Sequence, residues 1–162
     1  MVNRPSFDQI PRPLDVGCLL VSGPNGAAPV ALHSVEVYRN GFSFWLTVRL
    51  PSDDGPMSDE VLRSPDLRGH APPGEEDTAM TVEVAADDTN ISSNSGTTSH
   101  LDLSVLNGRV AEGWAEARYW VPMIPLGTRA QVSVSWRGGS LYASCELDTT
   151  GFASAASQVI TF

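Results

Sequence analysis

The sequence predicts an all-β chain: an antiparallel, immunoglobulin-like β-sandwich of about eight strands with a short C-terminal helix. Three observations predict it. Two segments alternate apolar and polar residues on both arms of a glycine turn, each under a single register. No long segment repeats apolar residues at helical spacing. Gly, Pro and Asn break the chain into short runs. The 162 residues fit one domain, 1–162, with an N-terminal extension over 1–13 and a long loop over 51–78. A domain of this size buries roughly 70% of its unfolded surface, enough for one core without staples.

In chain order, an early strand is expected near 16–21. The first hairpin is VALHSVEVYRNGFSFWLTVRL, residues 30–50. Asn40-Gly41 is its turn, because the central residues of a type I′ turn need positive φ. That turn pairs Arg39 with Phe42, Val37 with Phe44 and Val35 with Leu46. Val35, Val37, Phe44, Leu46, Val48 and Leu50 then face inward, while Ser34, Glu36, Tyr38, Ser43, Trp45, Thr47 and Arg49 face out. His33 falls on the inward parity or at a bulge, since Val30 and Leu32 keep the other parity; a buried, hydrogen-bonded histidine is expected there.

Residues 51–78 are rich in Pro, Asp, Glu and Gly and read as a long loop, a lid or a cover for a sheet face. Strands follow over 80–86, 101–105 and 114–121, with the polar stretch 87–100 as a connection tip. The apolar run YWVPMIPLG, residues 119–127, contains Pro122 and Pro125. Proline cannot donate to a sheet ladder, so Pro122 should end a strand and the run should cross between strands at one end of the sandwich. A peptide groove lined by Trp120 and the prolines is the sharper alternative.

The second hairpin is QVSVSWRGGSLYASCELD, residues 131–148, turning at Gly138-Gly139. Trp136 then faces Leu141, Val134 faces Ala143 and Val132 faces Cys145, with Tyr142 on the outer side. A short Ala/Ser-rich helix follows over about 151–158.

The order VEVYRNGFSF, VEVAADDTN, YWVPMIPLG, VSVSWRGGS and CELD resembles a group of small, uncharacterised actinobacterial all-β proteins. The likeness spans roughly residues 30–160. In that group an aromatic-Trp-Val segment with clustered prolines precedes a strand ending in Trp, a glycine turn, an acidic strand and an Ala-rich terminal helix. Here fewer prolines follow Val121 and the terminal helix is weaker. The resemblance implies one β-rich domain and carries no catalytic residue.

The formal net charge of −9 repels a phosphate backbone and an anionic membrane surface, so neither nucleic acid nor membrane is an expected partner. All ten basic residues are arginine, as GC-rich coding favours. No apolar run reaches membrane-spanning length and no signal core opens the chain, so a cytoplasmic setting is expected. Cys18 and Cys145 read as small buried side chains rather than a required disulfide.

Candidate chemistry is sparse. Ser99-His100-x-Asp102 places serine and histidine on opposite faces of a strand, and no nucleophile elbow occurs. A small hydrolase using a loop histidine such as His100 is therefore an alternative, not the main reading. No histidine or cysteine set has zinc spacing. Asp87, Asp88, Asn90 and Asp102, with Asp53 and Asp54, supply hard oxygens for a weak calcium alternative, but no calcium-loop pattern joins them. Phosphate-binding loops are absent and no cofactor is implied. The remaining feature is aromatic: Tyr38, Trp45, Arg49, Tyr142 and Trp120 are the candidate binding surface. The expected role is a non-catalytic binding or assembly module, with a protein partner or a second copy of itself. A carbohydrate- or calcium-linked module with Trp45 as stacking platform is the other alternative.

Overall fold

The structure, a computed structural model, describes residues 5, 8–16, 19–21, 30–49, 80–87, 89–92, 104–111, 114–136 and 141–162. The strands are β1 (Gln9–Ile10), β2 (Arg12–Leu14), β3 (Leu19–Val21), β4 (Val30–Tyr38), β5 (Gly41–Arg49), β6 (Met80–Ala86), β7 (Thr89–Ser92), β8 (Ser104–Ala111), β9 (Trp114–Val121), β10 (Arg129–Trp136), β11 (Leu141–Asp148) and β12 (Ile160–Thr161). Among the described residues one helix, α1 (Phe152–Ser157), precedes β12. A six-stranded sheet runs β2-β4-β5-β9-β8, with β3 also on β4; a four-stranded sheet runs β11-β10-β6-β7; β1 pairs with β12. Every pairing among the described residues is antiparallel.

The inward residues of the two larger sheets share one core, as in a generic β-sandwich. Val35, Val37, Phe44 and Leu46 from one sheet join Val82, Val84, Val132 and Val134 from the other, all 1% exposed or less. Fully burying a side chain of this kind contributes about 1.5–3 kcal/mol, which is why alternation decides which face of each strand turns inward.

The first hairpin departs from the expected register. Tyr38 pairs with Gly41 and Val37 with Phe42, so the turn is Arg39-Asn40 rather than Asn40-Gly41. The slip is two residues along the pairing, so inward and outward faces are kept and Phe42 joins the core. Neither turn residue has positive φ. Gly41 is needed for close approach instead: a Cβ there would collide with the Val121 carbonyl oxygen and lie 2.7 Å from the Trp120 ring. Further along β4 the register shifts between His33 and Glu36, so Ser34 and Val35 together oppose Phe44. This bulge reconciles Val30 and Leu32, on one parity, with Val35 and Val37 on the other.

The second hairpin has the expected register: Val132 with Cys145, Val134 with Ala143, Trp136 with Leu141. Its turn and the Trp136 side chain lie outside the described residues. β9 ends at Val121, immediately before Pro122, and the chain crosses from the six-stranded to the four-stranded sheet before β10. Pro122 and Pro125 are buried, and Met123 and Ile124 pack on the core. The helix forms where the Ala/Ser run predicts it, and Phe152 stacks edge-on to Phe42 at 5.0 Å.

Four strands are unexpected: β1 and β2, which start within the N-terminal extension 1–13, β7, inside the expected connection tip 87–100, and β12 after the helix. β2 pairs with β4, and β8 runs on to Ala111, beyond the expected end at 105. β1 and β12 tie the two ends of the described chain together, helped by Arg12 Nε donating to the Gln158 carbonyl at 2.9 Å and Arg39 Nη2 to that of Val159 at 3.1 Å. The expected loop over 51–78 lies outside the described residues.

Candidate functional site

The outer face of the six-stranded sheet collects the polar side chains that alternation turns away from the core. Cross-strand pairing arranges them in rows: Glu36, Ser43 and Trp120 in one, and His33, Trp45 and Arg118 in the next. Thr47 and Glu116 form the row beyond. Directly opposed side chains on one face lie close enough to interact, so each row is a unit of contact.

Arg118 is the hub. Its Nε and Nη2 donate to Ser43 Oγ at 3.1 and 2.9 Å, and Nη2 also donates to Tyr38 Oη at 2.9 Å. The same Nη2 makes a salt bridge with Glu36 Oε2, which also accepts from Tyr38 Oη at 3.3 Å. The Arg118 and Glu36 side chains are 23% and 35% exposed, so solvent still screens the pair. Burial, above all, raises the Tyr38 phenol above its ordinary range; Glu36 adds to the rise, while Arg118 opposes it. The phenol therefore stays protonated and acts as donor to Glu36.

Tyr38 and Trp120 stand edge to face, with centroids 5.3 Å apart at 84°. They are 7% and 0% exposed, so these two predicted surface residues are buried on the outer face. Trp45 is half-buried in the next row. Arg49 pairs with Trp114 through its backbone, and its side chain lies outside the described residues. Tyr142 is 54% exposed, but on β11 at the edge of the four-stranded sheet, whose outer face points the other way. The structure thus brings Tyr38 and Trp120 together, sets Trp45 on the same face opposite His33 and Arg118, and leaves Tyr142 apart.

His33 is half-buried and hydrogen-bonded, with its two ring nitrogens 2.9 Å from Ser34 Oγ and 2.9 Å from Thr47 Oγ1. It belongs to the outer face, not the core, because the bulge follows it. Ser34 has φ of 54°, in the left-handed region. His70, Ser99, His100 and Asp102 lie outside the described residues.

Of the calcium candidates, Asp87 is committed elsewhere. Its carboxylate accepts from the backbone N–H groups of Leu126 and Gly127 at 2.9 and 2.8 Å. Asp53, Asp54, Asp88, Asp102 and the Asn90 side chain lie outside the described residues. Among the described residues no group of three or more His, Cys, Asp or Glu is placed to hold a metal, and no helix is long and apolar enough to cross a membrane. Cys145 is half-buried with a free thiol, whose pKa burial raises; Cys18 lies outside the described residues.

Sequence reasoning missed Arg118 and Glu116. The signal was present: in WAEARYWV, Glu116, Arg118 and Trp120 share one parity, opposite Ala117, Tyr119 and Val121. No protein-family model matches the chain, and neither a curated protein nor a solved structure does.

Proposed function

We propose that this chain is a binding or assembly module that uses the outer face of the six-stranded sheet, with a second copy of itself as the favoured partner. The observation that carries the reading is the Arg118 hub. It fixes Glu36, Tyr38 and Ser43 by hydrogen bonds on the outer face, with half-buried Trp45 on the strand opposite Arg118. A rigid aromatic beside fixed polar groups loses little entropy on association. An immunoglobulin-like arrangement of the two sheets, membership of the small actinobacterial all-β group and a cytoplasmic setting belong to the same reading. The acidic balance of the chain supports a protein partner over nucleic acid.

Light scattering across a concentration series tests it. Wild type is expected at twice the mass of the chain at high concentration, and Trp45→Arg at the monomer mass with an unchanged fold by circular dichroism. A wild type that stays monomeric throughout, or a Trp45→Arg variant that dimerises equally well, would overturn the assembly reading.

A further inference from the structure

We propose that Ser34 and His33 form a nucleophile–base pair able to accept an acyl group from small, uncharged activated esters. Neighbouring residues in a regular strand point to opposite faces, so a serine beside a histidine normally cannot touch it. The bulge removes that restriction. With Ser34 at φ of 54°, its Oγ lies 2.9 Å from His33 Nδ1. His33 Nε2 is in turn 2.9 Å from Thr47 Oγ1 on the neighbouring strand. The three groups therefore satisfy the geometry of an activated hydroxyl: nucleophile on base, base oriented by a third side chain.

The backbone gives this a second, independent support. The left-handed position of such a bulge is ordinarily glycine, because a Cβ there is strained. Serine occupies it here, and its hydroxyl is the group that reaches His33. Exposure fits as well: Ser34 is open to solvent, and half-buried Trp45 is the cross-strand partner of His33. The net charge of −9 disfavours anionic substrates.

The tautomer that serves the step has Nε2–H donating to Thr47 Oγ1 and Nδ1 accepting from the Ser34 hydroxyl. Ser34 Oγ attacks the ester carbonyl carbon as its proton passes to Nδ1. Collapse of the tetrahedral adduct breaks the bond to the alcohol oxygen, which leaves with that proton. Water then attacks the acyl-serine, giving its proton to Nδ1. Release of the carboxylic acid returns the proton to Ser34 Oγ. No oxidant, metal or cofactor enters the balance. The site borders the assembly face, since His33 pairs with Trp45, but an adduct on Ser34 and the oligomeric mass are separate readouts.

The test is adduct formation on the intact protein. Wild type treated with a fluorophosphonate, and separately with p-nitrophenyl acetate, is digested and the Ser34 peptide read by mass spectrometry. Ser34 is expected to be the principal adduct. Removal of the base by His33→Asn or His33→Ala should slow labelling by about 100-fold, the lower end of what a positioned general base contributes. Ser34→Gly should lose the adduct and yet melt about 2–4 °C higher, since glycine relieves the strain. An unmodified Ser34, labelling that His33→Asn leaves unchanged, or an adduct on Ser34 no faster than on other exposed serines would overturn the proposal.

Discussion

The indole of Trp120 occupies the space that a side chain at position 41 would take. Its ring atoms lie 2.7 Å from where a Cβ on Gly41 would stand, and the Val121 carbonyl is closer still. Glycine and tryptophan on adjacent strands thus form one packing unit, with Tyr38 edge-on against the same ring. The contact also explains the hairpin register. Only a strand position without a side chain fits under the indole, so Gly41 enters β5 and the turn moves back to Arg39-Asn40.

Gly41→Ala should therefore destabilise by about 1–3 kcal/mol, because one of the obstructing atoms is backbone and cannot move aside. Trp120→Ala should cost about 3–5 kcal/mol, as a buried aromatic truncation does. The two sites touch, so Gly41→Ala should cost less in the Trp120→Ala background than alone. Urea melts of the four proteins check this; strictly additive losses would contradict the shared packing unit.

The Arg118 hub should show coupling without large stability. Both partners are partly exposed, so the Arg118–Glu36 coupling from a double-mutant cycle of Arg118→Met and Glu36→Gln should be on the order of 1 kcal/mol. Arg118→Met alone should cost more than the coupling, because it leaves buried Ser43 and the Tyr38 phenol short of a partner.

Tyr38 makes the fold sensitive to alkali. Its folded pKa lies above the ordinary tyrosine value, so the folded state holds the proton longer than the unfolded state. Its contribution is complete below about pH 10 and is lost as pH rises through the folded pKa. The melting temperature of wild type should fall over that range more steeply than that of Tyr38→Phe. Parallel slopes would show that the phenol does not carry the effect.

Asp148 acts at the acid end. The hydroxyl and backbone N–H of Thr150 hold its carboxylate below the usual range, the N–H at 2.9 Å, just before α1. The associated stability is present above the unfolded pKa and is lost as pH falls through the lower folded value. Carboxyl NMR titration should find Asp148 titrating below a free aspartate in wild type and nearer to it in Thr150→Ala.

Asp87 and Gly127 tie the β6–β7 turn to the crossover. Asp87 is left-handed, with φ of 55°, and its carboxylate receives two successive N–H groups, while Thr149 Oγ1 donates to the Gly127 carbonyl at 2.8 Å. A Cβ on Gly127 would lie 2.6 Å from Asp87 Oδ1. Gly127→Ala and Asp87→Ala should each cost about 1–2 kcal/mol and speed amide exchange at Leu126 and Gly127. Exchange unchanged in Asp87→Ala would show that these bonds do not hold the loop.

The sequence alone determined the two-faced character of the strands, the register of the second hairpin, the end of β9 before Pro122 and the position of the short helix. These depend on side-chain period and on what proline cannot donate, both local properties. The tertiary structure alone decided the turn at Arg39-Asn40, the burial of Tyr38 and Trp120, and the pairing of β1 with β12. Parity names the face of a residue but not what lies on top of it. Arg118 and Glu36, 82 positions apart, meet only because β5 lies between their strands. Likewise the apolar–polar pattern of β4 hints at a break near His33, but only pairing against Phe44 turns that break into a bulge that sets Ser34 against His33.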